Sequence, residues 1–262
     1  MIAPVAAELP MLKDDKWLGY FQAFENSSMR FGVGSDGKVN FKLLSMKGEP
    51  LSQKLAVDVL IRVEEKMPDG KVVAKTVVPA SLESAQAASD KPKNVTIRGK
   101  VTGDAEFEFT VNEDRGAVQL GGRILSVGTL KNPLRFTIQL RFPNAYPDEQ
   151  SAGDRKKEKA FEDRTKDDRV QFALLNGKKV KASRAEVVDA GSADFASTAV
   201  SKAEIEFDSY QGKRIEVEAT ENSSFQLENP RPGPLRDGFT LIWASDSAKD
   251  PDAKARLVFE AK

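Results

Sequence analysis

The residues most suited to catalysis or binding by their type and spacing are five carboxylates in the last third of the chain. Glu204, Glu206 and Asp208 alternate along one predicted strand, and Glu216 and Glu218 alternate along the next. Alternate residues of a strand share one face and lie about 7 Å apart, a separation at which two carboxylates can cleave a glycosidic bond. Any solvated strand face produces the same spacing, so a carboxylate-dependent, glycan-active enzyme is the weakest of the functional hypotheses considered.

If these two strands form a hairpin, like charges meet across it and destabilise the pair unless a cation neutralises them. The nearby basic residues are Lys202, Lys213, Arg214 and Arg256. A bound Ca²⁺ ion or a basic partner surface is the alternative. We expect internal neutralisation, and we keep four glutamates as candidate partner-contact residues. These are Glu204, Glu206, Glu216 and Glu218.

A second group of acidic residues suggests a calcium site. Asp246, Asp250 and Asp252 lie in a turn-rich segment and could supply carboxylate oxygens to Ca²⁺. The segment lacks the aspartate spacing, the glycine and the closing glutamate of an EF-hand loop. We therefore expect an ordinary acidic turn and no cofactor, with Ca²⁺ bound by these aspartates as the alternative.

Two aromatic residues near the start of the chain are the candidate ligand-binding residues. Trp17 and Tyr20 lie in a segment in which both strand faces carry large groups, which favours exposure of Trp17. Exposed Trp and Tyr rings commonly form platforms for sugars or anchors for partner proteins. Trp243 alternates with Phe239 and Leu241 and is therefore expected in the core.

The composition excludes several classes of chemistry. The 262-residue chain contains no His and no Cys, so it cannot form a Ser-His-Asp triad, a thiolate nucleophile or a zinc site with His or Cys ligands. Its 40 basic residues balance 40 acidic residues, which argues against nucleic-acid binding. No Gly-rich segment lies between a strand and a helix, as a phosphate-binding loop requires. We therefore expect a protein that is not an enzyme.

Alternating apolar residues predict that strands position all of these groups. In the first half, residues 17–44 predict a three-stranded meander, and residues 55–63 and 72–78 predict a hairpin around a Pro-Asp-Gly turn. Further strands are predicted at 105–111 and 134–142. In the second half, residues 170–262 contain about seven predicted strands, a number typical of an immunoglobulin-like sandwich.

These patterns predict an all-β protein with two antiparallel β-sandwich-like domains. The composition changes after Pro143, and residues 148–169 are almost wholly charged. We interpret 1–147 as the first sandwich, 148–169 as a charged and partly helical linker, and 170–262 as a smaller, immunoglobulin-like sandwich. The opposite charges at three- and four-residue spacings favour a solvated helix in the linker.

The function that these features indicate is binding or assembly without catalysis. We expect a protein partner or self-association, or alternatively a polysaccharide ligand bound by a glycan-binding module. A membrane span needs a run of about 18 apolar residues. No apolar run of the chain approaches that length, so we expect no membrane insertion. The start of the chain lacks a signal peptide but is rich in Ala and Pro, as a mature exported protein often is. We therefore expect a periplasmic or secreted location.

Overall fold

The computed structural model of the chain describes ten ranges of residues. These are 9–50, 57–142, 155–156, 159–160, 163, 166–183, 186–208, 212–229, 233–234 and 238–262. The predictions for residues 51–56 and 143–154 lie outside the described residues.

The described residues up to 142 form ten strands, preceded by a short 3-10 turn at Asp15–Trp17. The strands are β1 (Tyr20–Glu25), β2 (Met29–Gly34), β3 (Val39–Leu43), β4 (Val57–Lys66), β5 (Val72–Lys75), β6 (Val77–Glu83), β7 (Val95–Val101), β8 (Glu106–Asp114), β9 (Ala117–Ser126) and β10 (Leu134–Phe142). The predicted meander is confirmed as β1 to β3, and the predicted hairpin is confirmed as β4 and β5.

The described residues from 169 onwards form nine more strands and one short helix, α1 (Ala193–Ser197). The strands are β11 (Arg169–Leu174), β12 (Lys179–Ser183), β13 (Val187–Val188), β14 (Val200–Phe207), β15 (Lys213–Ala219), β16 (Ser223–Glu228), β17 (Gly233–Pro234), β18 (Phe239–Ser245) and β19 (Leu257–Ala261). The all-β class predicted from the alternation is confirmed.

Pairing joins 17 of these strands into one antiparallel sheet, while β13 and β17 form a separate ribbon. The sheet curls into two layers. The first layer runs in the order β1, β2, β3, β4, β10, β18, β16, with β5 beside β4. The second layer runs β12, β11, β14, β15, β19, β9, β8, β7, β6. Within the described part of the chain, the residue pair Val200–Phe225 between β14 and β16 links the layers.

The two layers pack face to face through aromatic side chains. The rings of Phe41 on β3 and Phe259 on β19 stack with centroids 3.8 Å apart. Phe172 on β11 contacts Phe239 on β18 edge to face, with centroids 6.2 Å apart. Because successive strand residues alternate between the faces of a sheet, the apolar residues enter the space between the layers and the polar residues cover the outside.

The expected division into two separate sandwiches, 1–147 and 170–262, is not confirmed. Strand β10 pairs with β18, and β9 pairs with β19, so in each layer a block of strands from one half continues into a block from the other half. The buried side chains of both halves also form one hydrophobic cluster. A strand edge that one half alone would expose is therefore covered by the other half.

Part of the predicted linker is described. Residues 155, 156, 159, 160 and 163 are helical and exposed. Asp168, near the end of the predicted linker, is buried. Strand β11 begins at Arg169, the last residue of that segment.

Candidate functional site

A polar pocket opens on the outer face of the second layer, where β11 lies between β12 and β14. We call it the β11 pocket, and its volume is about 550 Å³. Six polar residues of these strands line it: Arg169, Gln171, Lys181, Ser183, Glu204 and Glu206. Glu186, which follows β12, completes the polar lining.

Strand register arranges the six side chains in two rows. Alternate residues of β11 are buried, so Arg169 and Gln171 point away from the core. The two rows are Ser183–Arg169–Glu206 and Lys181–Gln171–Glu204. Adjacent strands lie about 4.8 Å apart and the rows about 7 Å apart, so the wall of the pocket is about 10 Å by 7 Å.

Several polar groups of the β11 pocket are unused by the fold. Within the described part of the chain, the side chains of Arg169, Gln171, Lys181 and Glu206 make no hydrogen bond or ion pair. Glu186 differs, because its Oε2 accepts the backbone N–H of Ser183 at 2.7 Å. Guanidinium, ammonium, amide and carboxylate groups are therefore all free to bind a ligand at this one place.

In a second polar pocket, which we call the β7 pocket, lining side chains form hydrogen bonds with one another. It has a volume of about 530 Å³ and lies beside β6, β7 and β8 on the same layer. The hydroxyl of Ser84 donates to the Thr96 carbonyl at 2.7 Å, and Gln86 Oε1 accepts the backbone N–H of Thr96 at 3.3 Å. Arg98 donates to Glu108 at 3.2 Å through both Nε and Nη2. Because these lining groups satisfy one another, the β7 pocket is a matched comparison for the β11 pocket.

The glutamates predicted to meet across a hairpin do so. Glu204 on β14 lies directly opposite Glu216 on β15. The ammonium of Lys202 lies 3.0 Å from a carboxylate oxygen of each. Arg214 and Lys262 also form ion pairs with Glu216.

Internal neutralisation, the expected solution, is therefore what the structure contains. Two of the predicted cations, Lys202 and Arg214, take part. Lys213 instead points toward Ser28, to whose hydroxyl it donates at 3.3 Å. Arg256 donates to the carbonyls of Ala253 and Ala255.

These ion pairs determine the ionisation of Glu216. Burial favours its neutral form, but the hydrogen bonds from Lys262 and Lys202 outweigh burial and lower the pKa of Glu216. The pKa of Lys202 is raised, because its pairs with Glu204 and Glu216 outweigh the effect of its own burial. Glu216 is thus a permanent acceptor and does not act as a proton donor near neutral pH.

Trp17 is not exposed as its sequence context suggested. Its exposed fraction is 5%, and it contacts the Tyr20 ring edge to face, with centroids 6.0 Å apart. Lys16 Nζ and Arg30 Cζ lie 4.9 and 5.4 Å from the Trp17 ring centroid. Glu25 accepts from both cations, at 2.9 Å from Lys16 and 2.6 Å from Arg30. The indole is covered by these neighbours, so it cannot serve as an open platform for a sugar.

The three aspartates proposed as calcium ligands serve separate local interactions. Asp250 is buried, and its two carboxylate oxygens accept the backbone N–H groups of Lys254 and Ala255 at 2.7 and 3.0 Å. Asp246 pairs with Lys249, and Asp252 with Lys254. Among the described residues, no group of three or more acidic side chains is arranged to hold a metal ion. Calcium binding at these positions stays the untested alternative to an acidic turn.

The β11 pocket combines residues that the sequence analysis had considered with others that it had missed. Glu204 and Glu206 were candidates for partner contact, whereas Arg169, Gln171, Lys181, Ser183 and Glu186 were not singled out. The only sequence signal was the polar alternation of the hairpin around Asn176-Gly177, which every solvated strand pair shows. Trp17 and Tyr20 lie on the first layer and are not part of this pocket.

None of the helices in the described part of the chain combines the length and the apolar composition that a membrane span requires.

Comparison with known proteins gives a likeness in fold. No protein-family model matches the sequence, and no curated protein matches it. Among solved structures, the chain resembles the alpha-N-acetylgalactosaminidase NagBb from Bifidobacterium bifidum with a TM-score of 0.52 and 15% identity. The match covers 92% of this chain and 35% of that chain. The chain thus spans about a third of the length of the enzyme that it resembles.

Two further structures show similar but lower scores. The Slr1438 protein from Synechocystis sp. PCC 6803 gives a TM-score of 0.48 at 13% identity, covering 100% of this chain and 99% of that chain. A putative aldose 1-epimerase from Escherichia coli K12 gives 0.47 at 10% identity, covering 92% and 98%. The likeness to the alpha-N-acetylgalactosaminidase, at 15% identity, shows a shared β-fold. None of the three comparisons assigns an activity to this chain.

Proposed function

We propose that this protein is a non-catalytic carbohydrate-binding protein and that the β11 pocket holds the saccharide. The observation that carries the proposal is the set of unpaired donors and acceptors in that pocket. A sugar hydroxyl both donates and accepts a hydrogen bond. Arg169 and Lys181 can donate, Glu206 can accept, and the Gln171 amide can do both.

The size and shape of the pocket support the same ligand class. Small-molecule sites commonly have volumes of about 300–1,000 Å³ and use a few oriented polar groups for specificity. The pocket of about 550 Å³ is within this range, and its polar groups are fixed on three paired strands. The likeness in fold to part of a glycosidase makes a carbohydrate a reasonable first ligand to test.

Binding without catalysis fits the ionisation of the carboxylates. A glycosidase needs one carboxyl group that stays protonated near neutral pH, which requires a raised pKa. Every described acidic residue with a shifted pKa has it lowered, among them Glu216 beside the pocket. We therefore propose that Glu216, whose lowered pKa keeps it ionised beside the pocket, does not transfer a proton to the ligand.

The proposal is tested by a glycan array followed by calorimetric titration of the sugars that bind. Gln171→Ala and Glu206→Ala should each weaken binding by about tenfold or more, because each removes hydrogen bonds of about 1.5 kcal/mol. Gln119→Ala is the matched control, since Gln119 lies on the outer face of the same layer and does not line the pocket. Unchanged affinity in both pocket variants, or no glycan binding at all, would overturn the proposal.

The extracytoplasmic location predicted from the sequence belongs to the same proposal. A protein that binds polysaccharide meets its ligand most directly in the periplasm or outside the cell. Fractionation of the source cells should recover the protein with periplasmic or culture-fluid markers. Recovery with cytoplasmic markers would contradict the location and would leave the pocket experiment unaffected.

A further inference from the structure

We infer that the saccharide of the β11 pocket is acidic and that Arg169 and Lys181 bind its carboxylate. This inference rests on the proposed function and specifies its ligand class. It starts from the charges in the pocket that form no ion pair with any described residue.

Most cations on the outer face of the second layer have a partner. Six of them form ion pairs with glutamates: Arg98, Lys100, Arg123, Lys202, Arg214 and Lys262. Arg169, Lys179 and Lys181 differ, because within the described residues their side chains have no ion pair or hydrogen bond. Two of these three, Arg169 and Lys181, line the pocket. The unpaired positive charge of this layer is therefore concentrated at its β11 and β12 corner.

The pocket has opposite charges on its two sides. Lys181 lies on β12, and the carboxylates of Glu204 and Glu206 lie on β14, two strands away. That distance is about 10 Å, and Arg169 on β11 lies between the two sides. An acidic sugar fits this arrangement, since its carboxylate can bind the cations while its hydroxyls donate to the glutamates.

The acidic residues of the pocket do not oppose this orientation. Lys202 lies 3.0 Å from Glu204 and lowers its repulsion of an anion. Glu206 is the free acceptor at the far side from Lys181. Glu186 lies closer to β12, and its Oε2 is held by the Ser183 backbone N–H at 2.7 Å. A carboxylate placed between Arg169 and Lys181 receives charge-assisted hydrogen bonds, and a guanidinium can bind it through two donors.

Matched pairs of methyl glycosides test the inference. Each pair consists of a neutral hexoside and the corresponding hexuronoside, which differ only in whether carbon 6 is a hydroxymethyl group or a carboxylate. Pairs of gluco, galacto and manno configuration are titrated by NMR, with the side-chain amide of Gln171 as the reporter for the pocket. We expect the acidic member of at least one pair to bind about tenfold more tightly than its neutral member.

Variants that each remove one positive charge test whether Arg169 and Lys181 cause the preference for the acidic sugar. Arg169→Gln and Lys181→Gln should reduce the preference for the acidic member to about onefold or twofold. Lys179→Gln is the matched control, because Lys179 is an equally unpaired lysine on the same strand that does not line the pocket. It should keep the preference. An equal loss in Lys179→Gln would indicate general electrostatic attraction and would overturn the inference.

The remaining outcomes separate the inference from the proposed function. If neutral and acidic members bind equally well and Gln171→Ala weakens both, the saccharide site stands and the acidic-ligand inference is wrong. If neither member of any pair shifts the Gln171 amide, and the glycan array is also negative, both are wrong. Thermal unfolding of each variant checks that a loss of binding does not arise from a loss of folding.

Discussion

The ring of Tyr20 lies directly over Gly32, so close that a Cβ atom at position 32 would overlap ring carbons Cε1 and Cδ1. Both residues belong to the first hairpin, whose strands β1 and β2 shift register next to Tyr20. The missing side chain of Gly32 thus provides the space that the phenol ring occupies. Tyr20, which the sequence suggested as a ligand-binding residue, has a packing role in this hairpin.

This contact predicts that Gly32→Ala destabilises the protein by about 1–3 kcal/mol, the usual cost of forcing an extra methyl group into a packed site. The double variant Tyr20→Ala with Gly32→Ala should recover part of that loss, because the ring that the methyl group would strike is gone. Urea denaturation of the two single variants and the double variant gives the coupling energy. Strictly additive effects would show that the ring and the glycine do not depend on each other.

The strands were predictable from local sequence, and their arrangement was not. Val57, Val59 and Val63 share the buried face that the alternation of β4 predicted. The same alternation contains no information about which distant strand lies next to β4. Pairing of β10 with β18 connects residues about 100 positions apart in sequence, and the charged segment 148–169 suggested a domain boundary between them. Composition detects a solvated segment but not whether the sheet continues across it.

The cross-strand glutamates predict that Lys202→Met is destabilising. Without the ammonium, Glu204 and Glu216 lie opposite each other with less neutralisation, and like charges at opposed positions destabilise a strand pair by about 0.2–1 kcal/mol. The second change Glu204→Gln should restore most of the loss. Lys249→Met is the control, since its exposed pair with Asp246 lies outside the sheet and should change the unfolding free energy by less than about 0.5 kcal/mol. An equal effect of both lysine variants would contradict the role of Lys202.

The hydrogen bonds of Asp250 predict that Asp250→Ala lowers the free energy of unfolding and that calcium does not change the stability of the protein. Its carboxylate accepts two backbone N–H groups, from Lys254 and Ala255, and Asp250→Ala leaves both without that partner. We expect a loss of about 1–3 kcal/mol in the free energy of unfolding. The thermal midpoint of the unmodified protein should be the same with millimolar Ca²⁺ as with chelator. A midpoint that rises with Ca²⁺, and does so less in Asp250→Ala, would instead establish the calcium site.

The candidate site shows the same limit of sequence reasoning as the fold. Gln171 lies in the part of the chain, 170–262, in which strands were predicted, but its neighbours Lys181 and Glu204 come from the strands on either side. A pocket of this kind depends on which polar rows the register aligns and on which of their charges stay unpaired. Neither property is encoded in the spacing of residues along one strand.

The absence of His predicts a particular pH dependence of stability. No side chain with an ordinary pKa titrates between about pH 5 and pH 7 in a chain without His. Below that range Glu65 is a sensitive group, because hydrogen bonds from Lys75 and Asn132 lower its pKa in the folded protein. The folded state then binds this proton less readily than the unfolded state. The stabilisation is complete above the ordinary glutamate pKa and is lost as the pH falls through the lowered value.

Urea denaturation at half-unit pH intervals should therefore give a nearly constant free energy of unfolding from about pH 5.5 to 7 and a decline below about pH 4.5. Glu65→Gln should be less stable on the plateau and should decline less steeply in acid, because a glutamine cannot titrate. Glu106→Gln is the control, since Glu106 forms an exposed pair with Lys100. A slope between pH 5.5 and 7, or an acid decline unchanged by Glu65→Gln, would show that other groups govern the acid stability.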